Sequence, residues 1–596
     1  MMTTNEKIAQ LRAAMLAAGA DAYFIPTGDP HASEYLPRHY CAREYFSGFT
    51  GENSVMVVTS TKSALWADGR FFVQAAKQLQ GSEIELMRMG EPEVPTVEEY
   101  CARELGAGQV LGLCGLTAST KEVQELQKAL EPKGAQIKCL YLEDELWREG
   151  RAAKPATPAW LISREYAGAA PAEKIALLRD ELKSKGCTAQ LVAKLDNVAW
   201  LLNLRAMDID CTPYAMAYCY VTMEKAVLFI NSVRLTPEAA AELDKNGIEI
   251  CPYDSILDFL AAQTEPQTVL ADAASVNFAI TSTLEQNSAF TVKNLTDPTI
   301  LMKGIKNPTE LAHMREAHIR DGVAMVRFEM ELEHRLGAGE TLYETDIDEM
   351  LHRHRSVQDK FLVESFETIA AYGPNAAMMH YHATKDNQSV IEPRGFLLVD
   401  SGGTYLDGTT DITRTYPVCP LTQEEKELYT WVLQSHIDMA KAVWLDYCTG
   451  QMLDILAREP LWRHLINYRC GTGHSVSFVG NVHEGPQSLS PRGVEKFVPG
   501  MTITDEPGVY ETDKLGIRIE NELECVERAI NQYGRFLAFE PQTCAPIDTT
   551  AVLPEILEKD QLAWLNSYHA FVYEKLSPRL TVEEQAWLAK KCAPIG

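Results

Sequence analysis

The chain has 596 residues, 46% of them hydrophobic, which is too long for one core and predicts about three domains. Its net charge of −28 argues against a nucleic-acid backbone or an anionic membrane as the main partner, since both repel an acidic chain. The fourteen cysteines are scattered, with no C-x-x-C pair, and sit in apolar runs such as AYCYV and LECVE; this is the pattern of reduced core cysteine and predicts a cytoplasmic protein.

The opening, MMTTNEKIAQLRAAM, lacks the basic start, apolar core and cleavage site of an export signal, and no run approaches the roughly 18 apolar residues of a membrane span. The first half contains a duplication. EKIAQLR at Glu6 to Arg12 returns as EKIALLR at Glu173 to Arg179, and the same offset relates Gly19 to Gly186 and Asp29 to Asp196. Helix, turn and strand recur in register, so two similar α/β domains follow one another. In the first, AYFIP, SVMVVTS and SALWADGRFF read as strands alternating with helices; TAQLVAK, YAMAYCYVT and KAVLFI repeat that order. These domains are assigned no catalytic role; oligomer contacts and partial covering of the active site are their expected duties.

The seam REGRAAKPATPA and a second near DPTILMKGIKNPTE set expected boundaries at 1–160, 161–304 and 305–596. The third domain begins with the amphipathic helix TELAHMREAHIRDGVAMVRFEMELEHRL, whose His313 and His318 read as surface or packing residues. SFETIAAYGPNAAMMHYHAT then carries His380 and His382. After FLAFEPQTCAPI the tail reads as two amphipathic helices closing the domain, with Trp564, Tyr568 and Trp587 available for core or subunit contacts.

The chemistry is concentrated between Phe396 and Glu520. FLLVDSGGTYLDGTTDITRTY reads as two strands folding about Tyr405 and Leu406, which brings Asp400 opposite Asp411. MTITDEPGVYETDKLGIRIENE folds about Asp513, which sets Glu506 across from Glu520. The period of two places Arg518 beside Glu520, where it orients that carboxylate. Between them, CGTGHSVSFVGNVHEGP presents His474 and His483. Asp400, Asp411, His474, Glu506 and Glu520 form an oxygen-rich set with one imidazole, suited to two hard or borderline divalent cations such as Mn(II), Co(II) or Zn(II).

These segments resemble the signature of the pita-bread metallopeptidases, most closely the long, three-domain aminopeptidase P (Xaa-Pro aminopeptidase) family. DSGG…DGTTDITRT supplies Asp400 and Asp411, GTGH His474, TDEPGVY Glu506 and GIRIEN Glu520, and the similarity runs from YFIPTGDPHASEY to FLAFEPQTCAPI. The resemblance implies an α/β (α+β) chain of two tandem creatinase-N-like domains followed by a C-terminal pita-bread catalytic domain. It implies two divalent ions, manganese first, a homodimer, and removal of the first residue from peptides with proline second by water activated between the ions. It makes Glu506 a ligand and the proton carrier, His380 and His483 the groups that bind the substrate carbonyl, Asp400 the contact to the free α-amino group, and Arg518 and Tyr510 supporting residues.

The chain departs from the family at Cys470, where CGTGH replaces HGTGH, and at Ser475 and Ser477, where glycines are common. Two other readings stay open: a prolidase restricted to Xaa-Pro dipeptides, and a metal-free peptide-binding scaffold, which the presence of all five ligand-type residues disfavours.

Overall fold

The computed structural model describes residues 2–596. They form two compact units, one of residues up to 163 together with 169–299, the other of 164–168 and 300–596.

The first unit contains the duplication. Helix Thr4–Ala17 starts in a capping box in which Thr3 and Glu6 satisfy each other's backbone N–H groups. It buries Ile8, Leu11 and Met15 and is followed by Gly19 at φ +77°, a conformation that favours glycine. The chain then enters strand Ala22–Pro26. This strand pairs antiparallel with Ser54–Thr59 and parallel with Val110–Leu113. The full order is Ile84–Arg88, Ser63–Ala67, Ser54–Thr59, Ala22–Pro26, Val110–Leu113, Gln136–Cys139.

The second copy repeats this path except at the cap, where Ala170 has no side-chain acceptor and only Glu173 Oε2 accepts, from the Ala170 N–H at 2.6 Å. Helix Pro171–Ser184 and Gly186, φ +63°, lead to strand Ala189–Val192, at the heart of Ile248–Cys251, Ala226–Phe229, Tyr218–Thr222, Ala189–Val192, Gln267–Leu270, Phe290–Lys293. Each sheet has apolar clusters on both faces, which explains why its strands read as nearly continuous apolar runs. The copies meet through equivalent helix starts: the N-cap residues Ser119 and Asn277 form a bridge, with Thr120 N–H donating to Val276 and Phe278 N–H to Ala118.

In the second unit, helix Pro308–Gly337 begins with Asn307 as cap and Glu310 closing the box. A three-stranded sheet holds Ile369–Tyr372, Phe396–Ser401 and Ile412–Pro417, and a four-stranded sheet holds Val443–Leu445, Gly534–Pro541, Asn521–Asn531 and Thr502–Asp505. Short ladders join Gly473–Ser475 to Glu484–Leu489 and Gly508–Glu511 to Leu515–Arg518. Behind them, helices Gln423–Ala440 and Lys559–Leu576 share one core with the second hairpin, in which Val432, Leu433 and Ile437 meet Val509, Ile517, Leu565 and Val572. The tail thus forms its two expected helices, Lys559–Leu576 and Val582–Lys591, and Tyr568 is buried in the core. None of the fourteen cysteines is joined in a disulfide, and among the described residues no helix is long and apolar enough to cross a membrane.

Candidate metal centre

The first hairpin is built from Phe396–Ser401, buried along its whole length. It pairs antiparallel with Ile412–Pro417, with Asp400 opposite Thr413 and Ser401 opposite Ile412. The reversal falls at Leu406 and Asp407, inside a smaller ladder that pairs Tyr405 with Gly408, one residue later than the spacing predicts. Asp400 and Asp411 are therefore diagonal neighbours on one face rather than directly opposite. The slip is fixed by packing. Asp407 is buried and held by Arg320 and Lys360, and a Cβ at Gly402 would stand 1.9 Å from the Thr410 carbonyl oxygen.

The second hairpin follows the predicted register. Gly508 lies opposite Arg518 and Glu511 opposite Leu515, about a turn in which Asp513 takes φ +61°. The neighbouring ladder pairs Asp505 with Asn521. Both ladders share one register, so Glu506 and Glu520 face each other in the gap between them. Their backbone N–H groups go elsewhere: Glu506 donates to Thr472 and Glu520 to Thr413, at 2.8 and 3.1 Å. The gap thus ties the glutamates to the His474 segment and to the aspartate hairpin.

His474 is seated by close backbone contact. Its N–H donates to Thr504 Oγ1 at 3.0 Å, and a Cβ on Gly473 would stand 1.8 Å from the Thr504 carbonyl oxygen. His474 Nδ1 lies 3.0 Å from the Ser475 carbonyl, a partner that needs the proton on Nδ1. The Nε2 lone pair is then aimed between Asp411 Oδ2 and Glu506 Oε1, each 3.5 Å away. Ligand-type atoms of Asp411, His474 and Glu520 all lie within 4.8 Å of one another.

Arg518 differs from its expected place. Its Nη2 donates to Asp400 Oδ2 at 2.6 Å, its Nη1 to Tyr510 Oη at 2.8 Å and its Nε to Thr413 Oγ1 at 3.0 Å. Glu520 takes its hydrogen bond from Thr413, at 2.7 Å. The guanidinium orients Asp400, and Glu520 is steadied through Thr413. Sequence reasoning missed Thr413, although it stands two residues after Asp411 and so shares its face.

Burial, followed by Glu520, Asp400 and Glu506, holds the Asp411 carboxyl well above the usual range. Burial with Glu506 and Asp400 does the same to Glu520. Glu506 is pushed up to about 7, chiefly by burial and against the pull of Arg518. Asp400 Oδ1 is buried without a hydrogen-bond partner. Crowded carboxylates with one imidazole and an orphaned buried oxygen form a donor set that fits hard or borderline divalent cations.

His483 stands beside this set, its ring edge-on to His474 at 4.3 Å. His380 is half-buried in the turn after the short helix Gly373–Ala377. A Cβ on Gly516 of the second hairpin would stand 1.8 Å from Ala376 O in that helix. Cys470 is half-buried; burial first, then Glu506, pushes its thiol up to about 12, so it is protonated and neutral at ordinary pH. The buried His318 pairs with Glu522 Oε2 at 3.0 Å.

Fold and donor set together define a pita-bread metallohydrolase. Residues 7–146 and 150–310 match creatinase/prolidase N-terminal domains, 312–527 match metallopeptidase family M24, and 535–595 match the C-terminal region of that family. Aminopeptidase P2 of Arabidopsis thaliana is 38% identical over all of this chain and 89% of its own length. A probable Xaa-Pro aminopeptidase P of Talaromyces marneffei is 38% identical over 99% of this chain and 92% of its own. The X-prolyl aminopeptidase of Caenorhabditis elegans, described as a cytosolic enzyme with a di-nuclear active site, superposes over the full length of both chains at a TM-score of 0.94 and 34% identity. A Bacillus anthracis Xaa-Pro dipeptidase shares the fold over 64% of this chain, at 22% identity and a TM-score of 0.52. The chain belongs to metallopeptidase family M24 and, within it, to the long aminopeptidase P branch.

Proposed function

We propose that the protein is an Xaa-Pro aminopeptidase, releasing the first residue of peptides with proline second. The observation that carries this reading is the approach of Asp411, His474 and Glu520 to within 4.8 Å of one another, with Glu506 Oε1 3.5 Å from His474 Nε2, in a chain similar over its full length to proteins named for this activity. Asp400, Asp411, His474, Glu506 and Glu520 would hold two divalent cations, manganese first and cobalt or zinc as alternatives. When bound, such ions supply Lewis acidity that polarises a carbonyl and acidifies a water.

The protein's own groups do the rest. Glu506, a ligand that stands beside the attacking water, accepts its proton and returns it to the leaving nitrogen. His483 and His380 donate hydrogen bonds to the substrate carbonyl and its developing oxyanion. Asp400, oriented by Arg518 and leaving one oxygen unpaired, receives the free α-amino group and so selects a chain end. Arg518 in turn leans on Tyr510. The Xaa-Pro bond has no N–H to grip, so selection for proline rests on pocket shape.

The reading extends to a cytoplasmic location, supported by cysteines that form no disulfide, and to domains at 1–160, 161–304 and 305–596. It includes a homodimer, supported by the exposed Met452, Ile455, Leu456, Trp462 and Leu465 on and just after helix Gly450–Trp462. The test is a kinetic series of Xaa-Pro-Yaa, Xaa-Ala-Yaa and Xaa-Pro with Mn, Co and Zn compared. Preference for Xaa-Pro-Yaa is expected. Hydrolysis of Gly-Pro with no action on Arg-Pro-Pro would instead identify a dipeptidase.

A further inference from the structure

Both glutamates have sequence neighbours that face the other way. Asp505 precedes Glu506, Asn521 follows Glu520, and the two are directly paired across the ladder. Successive side chains of an extended chain point to opposite sides, so Asp505 and Asn521 project away from the carboxylate cluster. They meet His436 of helix Gln423–Ala440, and all three residues are 0% exposed. His436 Nδ1 lies 3.0 Å from Asp505 Oδ2 and 3.1 Å from the Asp505 carbonyl. His436 Nε2 lies 3.2 Å from Asn521 Nδ2.

The hydrogen-bond chain fixes the protons. Arg414 has only donors to offer, and its Nη2 lies 2.9 Å from Asn521 Oδ1. Asn521 therefore turns its oxygen to Arg414 and its NH2 to His436. His436 Nε2 accepts that bond, so its proton is on Nδ1, donated to the Asp505 backbone carbonyl beside the Asp505 carboxylate. At the far end the Tyr568 hydroxyl lies 3.1 Å from Asn521 Oδ1 and 2.8 Å from Ala545 O. Tyr568 belongs to helix Lys559–Leu576, and Trp564 of the same helix stacks on it at 5.3 Å and stands edge-on to His436 at 5.8 Å.

We propose that His436 is a positioning residue for the metal centre: by bridging Asp505 and Asn521 it fixes the backbone from which Glu506 and Glu520 reach forward, and Tyr568 ties the C-terminal helix to the same point. The proposal rests on the reading of Glu506 and Glu520 as ligands. Like-charged carboxylates repel when no cation separates them, so the backbone behind them has to hold their approach. Partners that orient a ligand from outside the coordination shell set metal affinity as well as stability. A histidine that only filled space would leave cation affinity unchanged.

The experiment uses the full chain. Mn(II) is titrated calorimetrically, and Co(II)-loaded protein is examined by its d–d absorption, for wild type, His436→Phe, His436→Asn and Tyr568→Phe. His436→Phe is expected to weaken Mn(II) binding about 10–100-fold and to alter the Co(II) spectrum. His436→Asn, whose NH2 takes the place of Nδ1, is expected to restore most of that loss. Tyr568→Phe, which removes one hydroxyl at the end of the chain, is expected to weaken binding in the same direction and by less. It decides the matter if His436→Phe does not fold. Wild-type affinity and spectrum in a folded His436→Phe protein, or in Tyr568→Phe where that protein does not fold, would overturn the proposal alone. A wild type that takes up no Mn(II) would overturn the ligand reading and the proposal with it.

Discussion

Arg518 Nη2 donates to Asp400 Oδ2 at 2.6 Å, which seats a buried guanidinium directly against one of four crowded carboxylates. It also holds Thr413 and Tyr510, so three strands depend on one side chain. Arg518→Ala is expected to destabilise the metal-free protein by about 3–5 kcal/mol, since it leaves buried carboxylates without their cation. Arg518→Lys is expected to recover only part, because an ammonium cannot reproduce the planar fork. Urea unfolding midpoints in EDTA check both.

Glu506→Gln separates charge from chemistry. Removing one carboxylate from the metal-free cluster relieves repulsion on Glu520, where Glu506 is the leading charged neighbour. The variant is expected to melt higher than wild type in EDTA, while turnover falls by several orders of magnitude. Scanning calorimetry in EDTA and a single-turnover assay in Mn(II) read the two effects separately. Near-normal turnover would remove Glu506 from proton transfer.

Chelation itself is expected to lower the melting temperature of the wild type. Ligands that bind only the native state stabilise by mass action, by about 4 kcal/mol at a thousandfold excess over Kd. An unchanged melting temperature and activity after EDTA would mean the cluster holds no functional ion.

Glu329 gives a pH dependence away from the centre. It is 4% exposed on helix Pro308–Gly337, accepts a hydrogen bond from Tyr416 at 3.1 Å, and burial pushes it up from 4.5 to about 8. Between those values the unfolded chain has lost a proton that the native protein keeps. Stability therefore falls as pH rises through this window and levels off above about 8. Glu329→Gln is expected to flatten that slope, measured as the difference in urea midpoints between wild type and variant across the window. Parallel pH profiles would show that Glu329 is already ionised in the native state.

Gly473→Ala is expected to destabilise by about 3 kcal/mol or more and to abolish activity, since its Cβ would stand 1.8 Å from Thr504 O. Gly69→Ala, which meets nothing within 4 Å, is the control and should behave as wild type.

Local pattern was enough for part of this. The duplication was readable because its helix, glycine and strand recur at one offset. The Asp513 hairpin was readable because it has a single polar turn between evenly alternating strands. The Asp400–Asp411 register differs by one residue at the turn from what spacing predicts, because what fixes it is the buried Asp407, whose partners Arg320 and Lys360 come from distant segments. Period-two spacing within its own hairpin pairs Arg518 with Glu520; its actual partner Asp400 comes from the other hairpin. His436 gave no signal at all. It sits among Leu433, Ile437 and Met439 on a helix that reads as ordinary core, and its partners are defined only once helix and ladder meet.

The most direct test of the central claim is anomalous diffraction at the manganese edge from crystals grown with Mn(II). Two anomalous peaks enclosed by Asp400, Asp411, His474, Glu506 and Glu520 are predicted. No peak there, or ions bound only at other carboxylates of this acidic chain, would contradict it.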